Sequence, residues 1–123
     1  MIRGTVNARG EAIVALRVSG PGGIESDVDA VVDSGFTASL ALPLAVVSAL
    51  GLSRQSSGGA VLADGSLRQF DIYSADVAWT GGWRPVLVSA VGDEVLLGMR
   101  MLAGHELRIA VVPGGAVEIT RLP

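Results

Sequence analysis

Ala30-Val31-Val32-Asp33-Ser34-Gly35-Phe36-Thr37, answered much later by Val95-Leu96-Leu97-Gly98, is the stretch on which the fold turns. An apolar strand runs up to the acid, and Asp33 stands where that strand stops. Ser34 offers a small hydroxyl that can bond nearby backbone, and Gly35 permits a close backbone approach or a positive φ. Together they suit a carboxylate at the floor of a cleft. Asp-Ser-Gly is also ordinary turn chemistry, so the rest of the chain has to decide between the two.

Outward from the acid, Ser26 to Val32 reads as the strand that delivers Asp33. Before it, Ile2 to Asn7 and Ile13 to Val18 read as strands joined around Ala8-Arg9-Gly10, with a second turn at Gly20-Pro21-Gly22-Gly23. After it, Ala38 to Ala41 is predicted as a strand. A helix then starts at Pro43 and closes at Gly51, with Leu44, Val47 and Leu50 facing the core.

Ala60-Val61-Leu62 and Leu67 to Val77 flank Ala63-Asp64-Gly65-Ser66, a hairpin signal of the Asp-Gly type. Trp79-Thr80-Gly81-Gly82-Trp83 is another turn, and Pro85 to Ser89 returns as a strand. Glu94 to Leu97 follows as a short strand, then a short helix from Met99 to Ala103 closed by Gly104. Leu107 to Val111 and Ala116 to Leu122 form a terminal hairpin around Pro113-Gly114-Gly115. This predicts a mostly β fold, a small closed barrel with two short helices, in one domain over residues 1–123.

Composition narrows the function classes. Half the residues are apolar but only 4% are aromatic, so the core is built from Val, Leu, Ile and Ala. All nine basic residues are Arg, scattered along a chain of net charge −3. No basic stripe exists to neutralise phosphates, which argues against a nucleic-acid partner. No cysteine is present, which excludes disulfides, thiolate metal sites and a Cys nucleophile. Ser34 to Ser53 carries no charge, but Pro43 interrupts it near the middle. A short strand and helix fit better than the roughly 20-residue span that a membrane requires. The strand-like Met1-Ile2-Arg3-Gly4-Thr5 lacks an apolar signal core, so the expected location is cytoplasmic.

Other constellations are weaker. A calcium loop counted from Asp27 would need Gly sixth and Glu twelfth, where Val32 and Ala38 stand. Asp27 and Asp29 therefore read as a solvated strand face, and no metal or cofactor is expected. His105 has no nucleophile elbow to serve and reads as a turn or cap residue. Trp79 and Trp83 read as packing across a hairpin or covering its edge.

Asp33 remains, and one carboxylate is a poor hydrolase, because acid–base work on an amide needs one group to take a proton and another to give one. A chain with a single such acid can supply the second by pairing with itself across a two-fold axis. Two carboxylates a few ångströms apart share a proton and titrate as a pair.

The chain resembles a retroviral-type (retropepsin-like) aspartic protease, and more closely the small single-domain bacterial branch of that clan. Val31-Val32-Asp33-Ser34-Gly35 matches the apolar-apolar-Asp-Thr/Ser-Gly motif. Ala63-Asp64-Gly65-Ser66 falls where the family has its flap hairpin, and Val95-Leu96-Leu97-Gly98 with the helix after it matches the second apolar-apolar-Gly signature. The resemblance implies a homodimer acting on a peptide or protein substrate, each subunit contributing Asp33 as the catalytic acid.

By the same resemblance, Ser34 would brace the two loops across the axis and Gly35 would admit substrate backbone. Phe36 and Thr37 would line the substrate site, and Ala63, Asp64, Gly65 and Ser66 would close over an extended peptide. Leu96-Leu97-Gly98 would pack behind the active loop. The match has departures. Retroviral enzymes carry an Asp four residues after the catalytic one and an Arg after the second Gly, where this chain has Thr37 and Met99. The brace formed by that ion pair is absent as a unit, which leaves no unpaired buried charge. Phe36 stands where retroviral enzymes have Ala.

Two other readings stay open at this point. One is a non-catalytic peptide-binding or dimerisation module on the same fold. The other is a protomer inactive alone and completed by another subunit.

Overall fold

The computed structural model describes residues 1–61 and 64–123. Strands β1 (Ile2–Val6), β2 (Ala12–Ser19) and β3 (Glu25–Val32) form an antiparallel meander that ends at Asp33. Then come β4 (Leu40–Leu42), helix α1 (Leu44–Ala49), the long hairpin β5 (Ser53–Val61) and β6 (Leu67–Trp79), and β7 (Gly82–Ala90). The chain closes with β8 (Leu96–Leu97), α2 (Met99–Leu102), and the hairpin β9 (His105–Ile109) and β10 (Ala116–Arg121). The mostly β class with two short helices is what the sequence predicts.

The strands form one sheet in the order β5-β6-β7-β4-β8-β3-β2-β1-β10-β9. An extra pairing of β2 with β6, Val18 opposite Val77 and Ser19 opposite Asp76, closes six of them into a ring. The other four strands lie outside that ring.

The core follows period-two patterning. On β2, Ala12, Val14, Leu16 and Val18 are buried while Ala15 and Arg17 face out. Leu40, Leu42, Val88, Leu97 and Met101 are inaccessible to solvent. Each large aliphatic side chain buried this way contributes about 1.5–3 kcal/mol. The apolar run from Leu40 to Leu42 is buried at every residue because β4 lies between β7 and β8 with no solvent face.

Several local readings change. β5 begins at Ser53, well before the predicted Ala60, because Ser53 to Gly59 is a polar edge strand held by pairing to β6 rather than by an apolar face. Arg54 and Ser57 on β5 both bind Asp71 on β6. Helix α1 buries Val47 and Leu50, but Leu44 is 60% exposed. Pro43 takes the N-cap position, and the six-residue helix meets the sheet through Val46, Val47 and Leu50 instead. β9 starts at His105 and stops at Ile109, two residues earlier than expected at each end, because Arg121 pairs with His105.

Trp79 and Trp83 do not face each other across the hairpin. Trp79 opposes Gly82 and is 8% exposed, whereas Trp83 is half exposed. The Trp79 indole N–H donates to His105 Nε2 at 3.2 Å, and His105 Nδ1 lies 3.0 Å from the Ala103 carbonyl. A carbonyl accepts only, so Nδ1 carries the proton and Nε2 accepts. His105 thus ties the β6–β7 turn to β9. Among the described residues no helix is long and apolar enough to cross a membrane.

Candidate active site

β3 delivers Asp33 to a junction of two loops. β8 runs parallel to β3, Val31 beside Leu96 and Val32 beside Leu97, and antiparallel to β4, Leu40 beside Leu97. It therefore stitches the strand before the acid to the strand after it. The stitching continues past the strand ends. Asp33 N–H donates to the Leu97 carbonyl at 2.9 Å, Gly98 N–H to Ser39 at 2.9 Å, Met99 N–H to Phe36 at 2.8 Å and Arg100 N–H to Ala38 at 3.3 Å. Four backbone bonds clamp residues 33–39 against residues 97–100.

The clamp demands a glycine at position 98. A Cβ there would sit 2.0 Å from the Ala38 carbonyl oxygen and 2.7 Å from Phe36 Cδ2. Its φ of −100° is open to any residue, so the requirement is close approach alone. Gly98 also brings the half-buried Phe36 ring onto the second loop.

Inside the clamp the turn closes on itself. Phe36 N–H donates to the Asp33 carbonyl at 3.1 Å, and Gly35 N–H donates to Asp33 Oδ1 at 2.9 Å. One carboxylate oxygen is thereby fixed. Oδ2 accepts no hydrogen bond among the described residues, and no cation lies within salt-bridge distance of Asp33 there. Asp33 is half-buried, while Ser34, Gly35 and Thr37 are exposed. The Ser34 hydroxyl makes no hydrogen bond among the described residues; the Asp33 carboxylate closes the turn. Gly35 does not adopt a positive φ, and a Cβ on it would meet only Asp33 Oδ1, at 3.2 Å.

Of the predicted site residues, Asp33, Ser34, Gly35, Phe36 and Thr37 share this one turn and its exit. Asp64, Gly65 and Ser66 lie at the exposed tip of the β5–β6 hairpin, and Ala63 falls outside the described residues. Asp64 accepts from the Ser66 amide and hydroxyl, which holds its carboxyl below the usual carboxylate range, the hydroxyl bond acting most strongly. The tip shares no hydrogen bond or ion pair with the Asp33 turn among the described residues.

Asp27 and Asp29 are exposed on one face of β3, and Asp27 pairs with Arg17 at 3.0 Å. Among the described residues no group of three or more His, Asp or Glu is placed to hold a metal ion. The arrangement offers a rigidly held carboxylate with one unengaged oxygen, suited to taking or giving a proton.

Sequence reading missed the shallow depression beside this turn. Thr37, Ala38 and Ser39 line it from the loop, Ile72 from β6, Leu87 and Ser89 from β7, and Arg100 from α2. A faint signal existed, since Ser39 and Ser89 are single polar residues within apolar strand runs. Compared with known proteins, the chain matches no family model, no curated protein and no solved structure.

Proposed function

We propose that the chain is one subunit of a homodimeric aspartic endopeptidase, cytoplasmic, that hydrolyses peptide bonds in extended polypeptides. The observation that carries this reading is the half-buried Asp33, held by the clamp from Leu97 to Arg100 and by Gly35 N–H, with no cation among the described residues to neutralise it.

In this reading the Asp33 side chains of two subunits meet at the two-fold axis and share one proton. The ionised carboxylate takes a proton from a bound water, whose oxygen attacks the scissile carbonyl carbon. The protonated partner donates to the carbonyl oxygen, which balances the charge of the tetrahedral intermediate. A carboxyl proton then passes to the amide nitrogen as the C–N bond breaks, and a hydroxyl of the intermediate returns its proton to the ionised partner, leaving a free acid, a free amine and the pair with its one proton.

The clamp supports this chemistry by keeping each carboxylate in place, since misplacement of about 1 Å costs on the order of 10²-fold in rate. The test is a mixed peptide library presented to wild type and Asp33→Asn between about pH 4 and 7, with and without a statine-type transition-state analogue. Cleavage that needs Asp33 and stops with the analogue is the expected result. A folded, dimeric wild type without cleavage would overturn the reading and favour a peptide-binding module. A monomer without cleavage would point to a missing partner subunit.

A further inference from the structure

We propose that the depression between the exit of the Asp33 loop and the β6–β7 sheet is a specificity subsite for a carboxylate, supplied by an acidic side chain of the peptide substrate. This deepens the peptidase reading and rests on it.

Two buried hydroxyls carry the inference. Ser39 is 6% exposed and Ser89 7%, and neither hydroxyl takes part in a hydrogen bond among the described residues. No fully enclosed side-chain N or O atom lacks a partner among the described residues, so both oxygens keep some access to solvent, and both serines line the depression. What fills the depression is what satisfies them.

Arg100 supplies the charge. It is exposed and lines the depression, and its guanidinium forms no ion pair among the described residues. Arg84 on β7 donates to the Met101 carbonyl at 3.1 Å and to the Arg100 carbonyl at 3.5 Å, which ties the helix that carries Arg100 to the sheet. Two serines and an arginine lining one depression offer hydroxyl and guanidinium donors that suit an acceptor-rich anion. Ala38, Ile72 and Leu87 provide apolar wall for the methylenes that carry it.

Size and position favour a side chain over a free metabolite. The depression holds about 190 Å³, below the roughly 300–1,000 Å³ of small-molecule pockets. Thr37 lies four residues beyond Asp33, hence at most about 14 Å along the chain. That reach corresponds to about four residues of extended peptide.

The experiment has a binding arm and a cleavage arm. In the first, Asp33→Asn protein is titrated with labelled extended peptides differing only as Glu, Gln or Lys at each position in turn. At one position the Glu peptide is expected to bind about tenfold tighter, as for a charge-assisted contact. Arg100→Ala should erase the difference, Arg100→Glu should reverse it toward Lys, and the Ser39→Ala, Ser89→Ala double variant should reduce it. Thermal midpoints check that each variant is folded.

The cleavage arm reads the same preference with wild type and Arg100→Ala. Cleavage with no acidic preference, or with one indifferent to Arg100, overturns the subsite while leaving the peptidase. An Arg100-dependent Glu preference in binding without any cleavage upholds the subsite and overturns the peptidase. Absence of both overturns both. Free glutarate or inorganic phosphate that shifts the Ser39, Ser89 and Arg100 amide resonances, with no discrimination among peptides, overturns the peptide source and assigns the site to a free anion.

Discussion

In both Asp33-Ser34-Gly35 and Asp64-Gly65-Ser66 the carboxylate accepts the amide N–H two residues on, at 2.9 Å in each case. From there the two turns diverge. The first starts at the half-buried Asp33, whose N–H donates to the Leu97 carbonyl, while the loop after it accepts from the N–H groups of Gly98, Met99 and Arg100, residues distant in sequence. The second is exposed, and its recorded side-chain bonds run only between Asp64 and Ser66. Equal local chemistry therefore makes one turn a fixed site and the other a hairpin tip. The difference lies in what packs behind each.

The largest effect should come from separating charge from scaffold at the first turn. Asparagine at 33 still accepts from Gly35 N–H, so Asp33→Asn should leave the unfolding free energy within about 0.5 kcal/mol of wild type. Peptide cleavage should fall by at least about 10²–10⁴-fold. A variant that unfolds would break the comparison, because the carboxylate charge would then be part of the scaffold.

Next in size is Gly98→Ala. The added methyl meets the Ala38 carbonyl and the Phe36 ring, and the loops have to part to admit it. A loss of about 3 kcal/mol is expected, at the top of the usual overpacking range, and urea unfolding measures it.

Gly65→Ala tests the second turn through a different mechanism. A Cβ there meets nothing within 4 Å, but the φ of +84° is left-handed. The cost should be conformational only, about 1 kcal/mol, and Gly65→Asn should recover part of it because Asn tolerates that region.

The smallest effect is a titration. Ser66 holds the Asp64 carboxyl below its ordinary value, so the ionised form stabilises the turn. That contribution is complete above the ordinary carboxylate range and is lost as pH falls through the lowered value. The Ser66 amide resonance should follow it on acidification, and Ser66→Ala should move the midpoint back up.

Much of the fold was legible because its elements announce themselves locally. The alternation in β2 and β10 and the apolar run into Asp33 each carry their own period. β5 was not legible, since Ser53-Arg54-Gln55-Ser56-Ser57-Gly58-Gly59 has no apolar face and owes its strand form to β6. Leu44 misled because helical spacing alone cannot say where a six-residue helix meets the sheet.

The candidate site divides the same way. Asp33 was readable as an acid on a turn, but the depression was not. Ser39, Ile72, Ser89 and Arg100 come from a loop and three elements that only the closed sheet assembles.

What the amino-acid order determined by itself was the class of fold, the positions of most strands, and one acid set at a strand end by residues that favour a turn. Those properties depend on side-chain period and backbone preference over a few residues. The tertiary structure decided which turn became rigid, which glycine had no alternative and which polar side chains converge. Each of these depends on β8 running between β3 and β4 and on contacts between residues some sixty positions apart, such as Asp33 with Leu97. Local propensity carries no information about such pairs, because their energy exists only once the sheet has closed.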